Sequence, residues 1–326
     1  MPERITERAL RAIHEKVFPG CVVGVVRNNG ERIIMPFGTL RYAGDERVTE
    51  ETIYDVASVT KSIPTASLAL TYISEGKFAL TDLVRTYIPE LQNDRAATVK
   101  DLLQYRVYGE QMSSLAELTA KEIAQRIYEF GFTDWPGESR YTNLPAFLLG
   151  IIVERIMGHS LHSQADELFF KPLDMQRTHF FSQGAENIAP SEMDAGKELC
   201  GMVHDESARA FSFEGKTVGH SGLFSTAPDL LNFLQALLIG MHPSVVSGAQ
   251  TGLGWQLNQG FFMGKRFGPR TFGKTGFTGA SVLCDADRGV GLVILSNRTY
   301  PTRPPDAMSL SSAINIFRRE IADIVL

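Results

Sequence analysis

The spacing of apolar residues along this chain changes period twice. Near the start, Ala9, Leu10, Ile13 and Val17 recur at helical intervals and stop before Pro19-Gly20, which predicts a helix and its end. The β-rich runs Cys21–Val26 and Arg32–Phe37 then flank Asn28-Asn29-Gly30, a strong hairpin signal. An extended piece through Ile53 and Tyr54 leads into Ser58. It is followed by a helix-like run of Ala66, Leu68, Leu70, Tyr72 and Ile73 that stops at Gly76. Pro64 falls inside this run and predicts a kink.

From Lys77 to Phe213 the pattern is mostly helical. Thr98-x-x-Asp101 and Thr119-x-x-Glu122 read as capping boxes. Leu144, Phe147, Leu148, Ile151 and Ile152 keep one helix face apolar, Gly158 ends that helix, and Ser160 can cap a short one after it. Thr226-x-x-Asp229 opens a helix with Leu230, Leu231, Leu234, Leu237 and Leu238 inward and Gly240 at its end. From Gly254 the period becomes that of strands, expected at Gly254–Asn258, Gly260–Met263, Thr271–Thr275, Ala280–Cys284 and Val290–Leu295, with Asp287-Arg288-Gly289 turning the last pair. Val290–Leu295 is apolar throughout, so it should be a central strand covered on both faces. Leu310, Ala313, Ile314, Phe317, Ile321 and Ile324 form a last amphipathic helix.

Strands at both ends with helices between them predict an α/β (α+β) architecture. One antiparallel sheet is built from both chain ends and flanked by helices, with a mostly helical insertion. Residues 1–76 and 214–326 would form the discontinuous sheet domain, and 77–213 the helical one.

Composition narrows the function. The chain has 326 residues, 44% hydrophobic and 21% charged, with a net charge of −5 and no basic block. Nucleic acid and anionic membrane surfaces are therefore not expected partners. Cys21, Cys200 and Cys284 are scattered, without C-x-x-C or a His/Cys cluster, so neither zinc nor a disulfide framework is indicated. An odd, unpaired set suits a reducing compartment. The charged start Met1–Arg8 does not read as a signal peptide, and no apolar run reaches 18 residues. The expectation is a cytoplasmic protein without cofactor or metal.

The chemistry gathers in three short motifs. Ser58-Val59-Thr60-Lys61 places a hydroxyl and an amine at i and i+3, on one helix face and near a helix N-terminus that favours anions. By itself the pair is a weak signal: Ser74-Glu75-Gly76-Lys77 has the same form, and Ser58 can equally be an N-cap with Lys61 solvated. Tyr141-Thr142-Asn143 immediately precedes the Leu144 helix, with Asn143 as a plausible N-cap. Lys274-Thr275-Gly276 lies on an expected strand.

The ordered set resembles the serine β-lactamase and penicillin-binding protein superfamily. Tyr-Thr-Asn is similar to its Tyr-x-Asn branch of class C β-lactamases, D-alanyl-D-alanine carboxypeptidases and related esterases. Thr98–Leu103, Lys171–Met175, Val203–Glu206, Gly219–Thr226 and Leu295–Arg298 resemble further family segments. The resemblance implies a serine hydrolase that forms an acyl-enzyme on Ser58, acting on an ester, an amide or a β-lactam. Lys61 would be the base, neutral through burial or through Lys274 as a second cation. Tyr141 would relay the proton to the leaving group, or be a buried aromatic. Asn143 would hold the substrate or Lys61, or merely cap its helix. Lys274 would attract a substrate carboxylate, Thr275 offer a hydroxyl, and Gly276 let a ligand approach. The oxyanion donors would be the backbone N–H groups of Ser58 and Phe277.

Other candidates read more simply. His220 lacks a Gly-x-Ser-x-Gly elbow and is expected to be structural. His204-Asp205-Glu206 lacks metal-ligand spacing and is expected to be a solvated acidic turn. Gln104–Glu110 departs from the family, which often has His-Thr-Ser-Gly-Leu there, and its bulk puts the relatives' substrates in doubt. The competing function is a protein on the same fold that is acylated by β-lactams with little turnover. Oligomeric state is left open.

Overall fold

A computed structural model describes residues 1–180 and 184–326. Its strands are Gly20–Arg27 (β1), Arg32–Gly38 (β2), Tyr54–Asp55 (β3), Met193–Asp194 (β4), Lys197–Glu198 (β5), Phe224–Ser225 (β6), Gln256–Leu257 (β7), Phe272–Thr275 (β8), Ser281–Asp285 (β9) and Val290–Ser296 (β10). The main sheet runs β2-β1-β10-β9-β8-β7, every neighbouring pair antiparallel. Strands from the two chain ends meet where β1 pairs with β10, Cys21 opposite Ser296 and Arg27 opposite Val290.

Strand periodicity decides which residues face which layer. Val22 and Val26 of β1, with Val293 and Leu295 of β10, point into the larger core cluster. Cys21, Val23 and Val25, with Val290, Leu292 and Ile294, point into a second cluster under the terminal helices Pro2–His14 and Ala313–Val325. Every residue of β10 is buried, as an unbroken apolar run between two covered faces requires. On the first face lies the Ala227–Leu238 helix, capped by Thr226, with Leu230, Leu231, Leu234 and Leu237 buried. A Cβ at Gly24 would meet the Leu231 side chain, so glycine lets this helix approach β1 closely. The same core continues through Val99, Leu102, Phe147 and Phe169 of the middle of the chain.

The helix caps sit where local sequence places them. Thr98 and Thr119 form reciprocal capping boxes with Asp101 and Glu122, Ser160 caps the next helix, and Gly158 ends Leu144–Met157 in the left-handed conformation. Several expectations are corrected. Gly260–Met263 is a short helix, not a strand. Asn258 takes a positive φ that ends β7 after Leu257, and Phe262 and Met263 then bury against the second core. In the first helix Leu10 is exposed, and the inward face is Ile5, Arg8, Ala9 and Ala12. Leu310 is also exposed and precedes the last helix, which begins at Ala313. Ser58 does not open a long α-helix. Ala57–Lys61 forms a 3-10 turn, the chain breaks helical geometry at Ile63 before Pro64, and the regular helix is Ser67–Ser74.

Candidate active site

Three segments distant in sequence converge on Ser58. The first is the 3-10 turn itself. Ala57 sits at φ +47, a strained conformation for a residue with a Cβ, and is held there by a hydrogen bond from its N–H to Asp55 Oδ1 at 2.7 Å. The Ser58 N–H belongs to the first turn, where N–H groups have no partner within the helix. Ser58 is half-buried, while Lys61 behind it is 1% exposed. Lys61 Nζ donates to Ser58 Oγ at 2.8 Å and to the backbone carbonyl of His220 at 2.6 Å. Burial pushes the Lys61 amine from 10.5 down to about 7, against an upward pull from the Asp205 carboxylate.

Tyr141 supplies the second segment. Its ring is half-exposed, but burial of its hydroxyl pushes the phenol up, only partly opposed by a hydrogen bond with Ser58. The shift keeps this phenol in its neutral form. Asn143 stands at the N-cap position of Leu144–Met157 without capping it; its Nδ2 donates to Asp205 Oδ2 at 3.0 Å.

The third segment is the end of β8. Lys274 is 1% exposed and lies over two rings, 4.4 Å from the centre of Tyr141 and 4.8 Å from that of Tyr105. Its Nζ donates to the Tyr105 hydroxyl at 3.3 Å. Burial first, and Lys61 second, push its amine well down. For Lys61 the dominant cause is burial, not Lys274 as a second cation. The Thr275 hydroxyl donates to Gln256 Oε1 at 3.3 Å, so it is engaged inside the sheet. A Cβ at Gly276 would overlap the Val56 carbonyl: the close approach glycine permits is to the turn before Ser58. The Phe277 ring packs 5.6 Å from His204 and 5.0 Å from Arg298.

His204-Asp205-Glu206 is no solvated turn. His204 is buried and meets Glu192 at 2.8 Å, and its N–H donates to Asp55 Oδ2. Asp205 caps Glu206–Ser212. Burial pushes its carboxyl up, yet His220, the Ala208 N–H and the Ser207 hydroxyl outweigh this and hold it well below the usual range. The His220 ring, fully buried and pushed down by that burial against the pull of Asp205, lies 3.0 Å from Ser207 Oγ and 3.3 Å from Asp205 Oδ1. Asp205 thus joins Asn143 and His220 behind Lys61. A short polar residue just before the Glu206 helix was the available signal for the cap, but nothing local told that the carboxylate faces inward. Ser74 instead donates to the Thr71 carbonyl on the surface. A cavity of 610 Å³ between Leu144–Met157 and Gly215–Gly219 is lined by Phe147, Glu154 and Leu161 and does not include Ser58, Lys61, Tyr141 or Lys274. Chemistry, not cavity size, locates the site.

A sheet flanked by helices, with Ser-x-x-Lys, Tyr-x-Asn and Lys-Thr-Gly brought together around Ser58, defines a class of serine hydrolases. The sequence profile described as Beta-lactamase matches residues 6–313, and the chain belongs to that family. It is a serine hydrolase of this type. Among curated relatives, "Putative D-alanyl-D-alanine carboxypeptidase" of Escherichia coli (strain K12) is 28% identical, with 78% of this chain and 71% of the relative covered. The protein of the same name from Salmonella newport (strain SL254) is also 28% identical, over 81% and 73%. Among solved structures, "EstCE1, a hydrolase with promiscuous acyltransferase activity" superposes with a TM-score of 0.78 at 19% identity, covering 99% of this chain and 98% of that one, which establishes the fold.

Proposed function

We propose that the protein hydrolyses esters through an acyl-enzyme on Ser58. The observation that carries this is the 2.8 Å contact of Lys61 Nζ with Ser58 Oγ, made by an amine that burial brings to about 7. In its neutral form Lys61 accepts the Ser58 proton as Oγ attacks the carbonyl carbon. The N–H groups of Ser58 and Phe277 receive the developing oxyanion. The proton passes through the Tyr141 phenol to the departing alkoxide, which leaves as an alcohol. Water then attacks the acyl group, giving its proton to the same pair and releasing Ser58 and the acid.

Lys274 supports an ester over a carboxylate-bearing substrate. A β-lactam or a D-alanyl peptide brings an anion that needs a free ammonium. Here that amine is buried, disfavoured as a cation, and covered by Tyr105 and Tyr141. A neutral acyl chain needs no such partner. The names of the curated relatives favour the second reading, a D-alanyl amide. Three thiols without disulfides support a reducing compartment, and we place the protein in the cytoplasm.

The test is a screen of p-nitrophenyl acetate and butyrate, nitrocefin and D-alanyl-D-alanine peptides, with Ser58→Ala as control. Ester turnover that vanishes in Ser58→Ala supports the reading. Faster peptide or nitrocefin turnover would replace it, and a stoichiometric burst without turnover would make the protein an acylated sensor.

A further inference from the structure

The turn after β8 is held from behind by two buried arginines. Arg318, on the inner face of the C-terminal helix, is 3% exposed. Its Nη2 donates to the Gly276 carbonyl at 2.9 Å and to the Ala280 carbonyl at 2.7 Å, and its Nη1 donates to Asn315 Oδ1 at 2.8 Å. Arg298, also buried, donates from Nε to the Phe277 carbonyl at 2.7 Å and stacks on the Phe277 ring. Among the described residues no carboxylate bonds Arg318, and Arg298 opposes its charge. A buried guanidinium is costly without a paired anion. Holding a four-residue turn does not require one, since a neutral donor would serve.

The position of the charge gives it a use. The Gly276 carbonyl and the Phe277 N–H are opposite ends of one trans, planar peptide. Fixing the carbonyl on Arg318 turns the N–H the other way. Among the described residues none accepts a hydrogen bond from that N–H. The turn itself is docked on the Ser58 segment: Gly276 lies against Val56, and the Thr278 hydroxyl donates to the Asp55 carbonyl at 2.6 Å. A cation on the carbonyl oxygen draws density through the peptide and makes its N–H a stronger donor.

We propose that Arg318 is a positioning residue for acyl transfer: it orients and polarises the Phe277 N–H as an oxyanion donor, with Arg298 bracing the next carbonyl. This rests on Ser58 forming an acyl-enzyme. Losing one such donor costs about 10²–10³-fold in the chemical step. Arg318→Met should lower the acylation rate by that order while leaving KM for a short ester nearly unchanged. Arg318→Lys, which can still charge one carbonyl, should recover part of the loss.

The deciding measurement is the infrared carbonyl stretch of a ¹³C-labelled acyl group on Ser58. In the wild type it should lie below that of the same ester in water, because the oxyanion donors pull on its oxygen. In Arg318→Met it should move up, and in Arg318→Lys lie between. If Arg318→Met does not fold, Arg318→Lys and Asn315→Ala, which frees one guanidinium nitrogen, carry the same comparison. An acyl-enzyme whose stretch and formation rate match the wild type overturns the proposal, as does a slower rate with an unmoved stretch. If the wild type shows no acyl mass on Ser58, it is the acyl-enzyme reading that fails, before Arg318 is tested.

Discussion

Replacing Lys61 with Arg keeps the positive charge and removes the ability to be neutral near pH 7. The structure sets the size of the effect. With its ordinary value of 10.5, Lys61 would be neutral in only about one molecule in 3,000 at pH 7. Burial brings that value to about 7, so roughly half are neutral. Single-turnover acylation should therefore follow one ionisation centred near pH 7, falling about tenfold per pH unit below it and level above. Lys61→Arg should lose ~10²–10⁴-fold of the plateau rate, measured on protein shown by circular dichroism to be folded. The same shift has a stability signature. Between about 7 and 10.5 the unfolded chain holds a proton on Lys61 that the folded chain lacks, so stability rises with pH across that window and is flat on either side. The total is roughly 5 kcal/mol from this group, and Lys61→Met should remove this part of the rise in a denaturant titration series, leaving the part that buried Lys274 contributes. A Lys61→Arg variant keeping more than a tenth of the wild-type rate, or a midpoint near that of an exposed lysine, would refute the reasoning.

Other outcomes follow from the neighbours. Asp205→Asn removes the charge that pulls Lys61 upward, so the acylation midpoint should move to lower pH; an upward move in the same profile would contradict the electrostatics. Tyr141→Phe should lower the rate without moving the midpoint, because the Tyr141 phenol is pushed up and does not set the ionisation. Tyr105→Ala uncovers the Lys274 amine and should improve kcat/KM for esters ending in a carboxylate relative to neutral ones; an unchanged ratio would detach Tyr105 from specificity. Ellman titration of denatured, unreduced protein should find three thiols, matching Cys21, Cys200 and Cys284.

Much of this molecule was legible in local pattern. Unbroken apolar runs are enough for β1 and β10 because both faces of a central strand are covered, and the burial of every β10 residue agrees. The caps at Thr98, Thr119, Ser160 and Thr226 depend on atoms within three residues, so sequence alone places them. The i, i+3 relation of Ser58 and Lys61 is equally local, and survives in a 3-10 turn that the apolar run did not predict.

Tertiary structure decided whatever depends on a partner far along the chain. Gly260–Met263 has a strand's composition, but the turn at Asn258 and the second core beneath Phe262 make it a helix. Asp205 reads as surface charge until His220 and Asn143 close over it. Gly276 reads as room for a ligand, and only the fold shows that a Cβ there would overlap the Val56 carbonyl. Lys274 reads in sequence as a cation for a substrate carboxylate and Arg318 carries no local signal, and only burial makes the first reluctant to charge and sets the second behind a peptide. Sequence spacing carries geometry over a few residues, whereas desolvation and charge coupling depend on what the whole fold packs around a group.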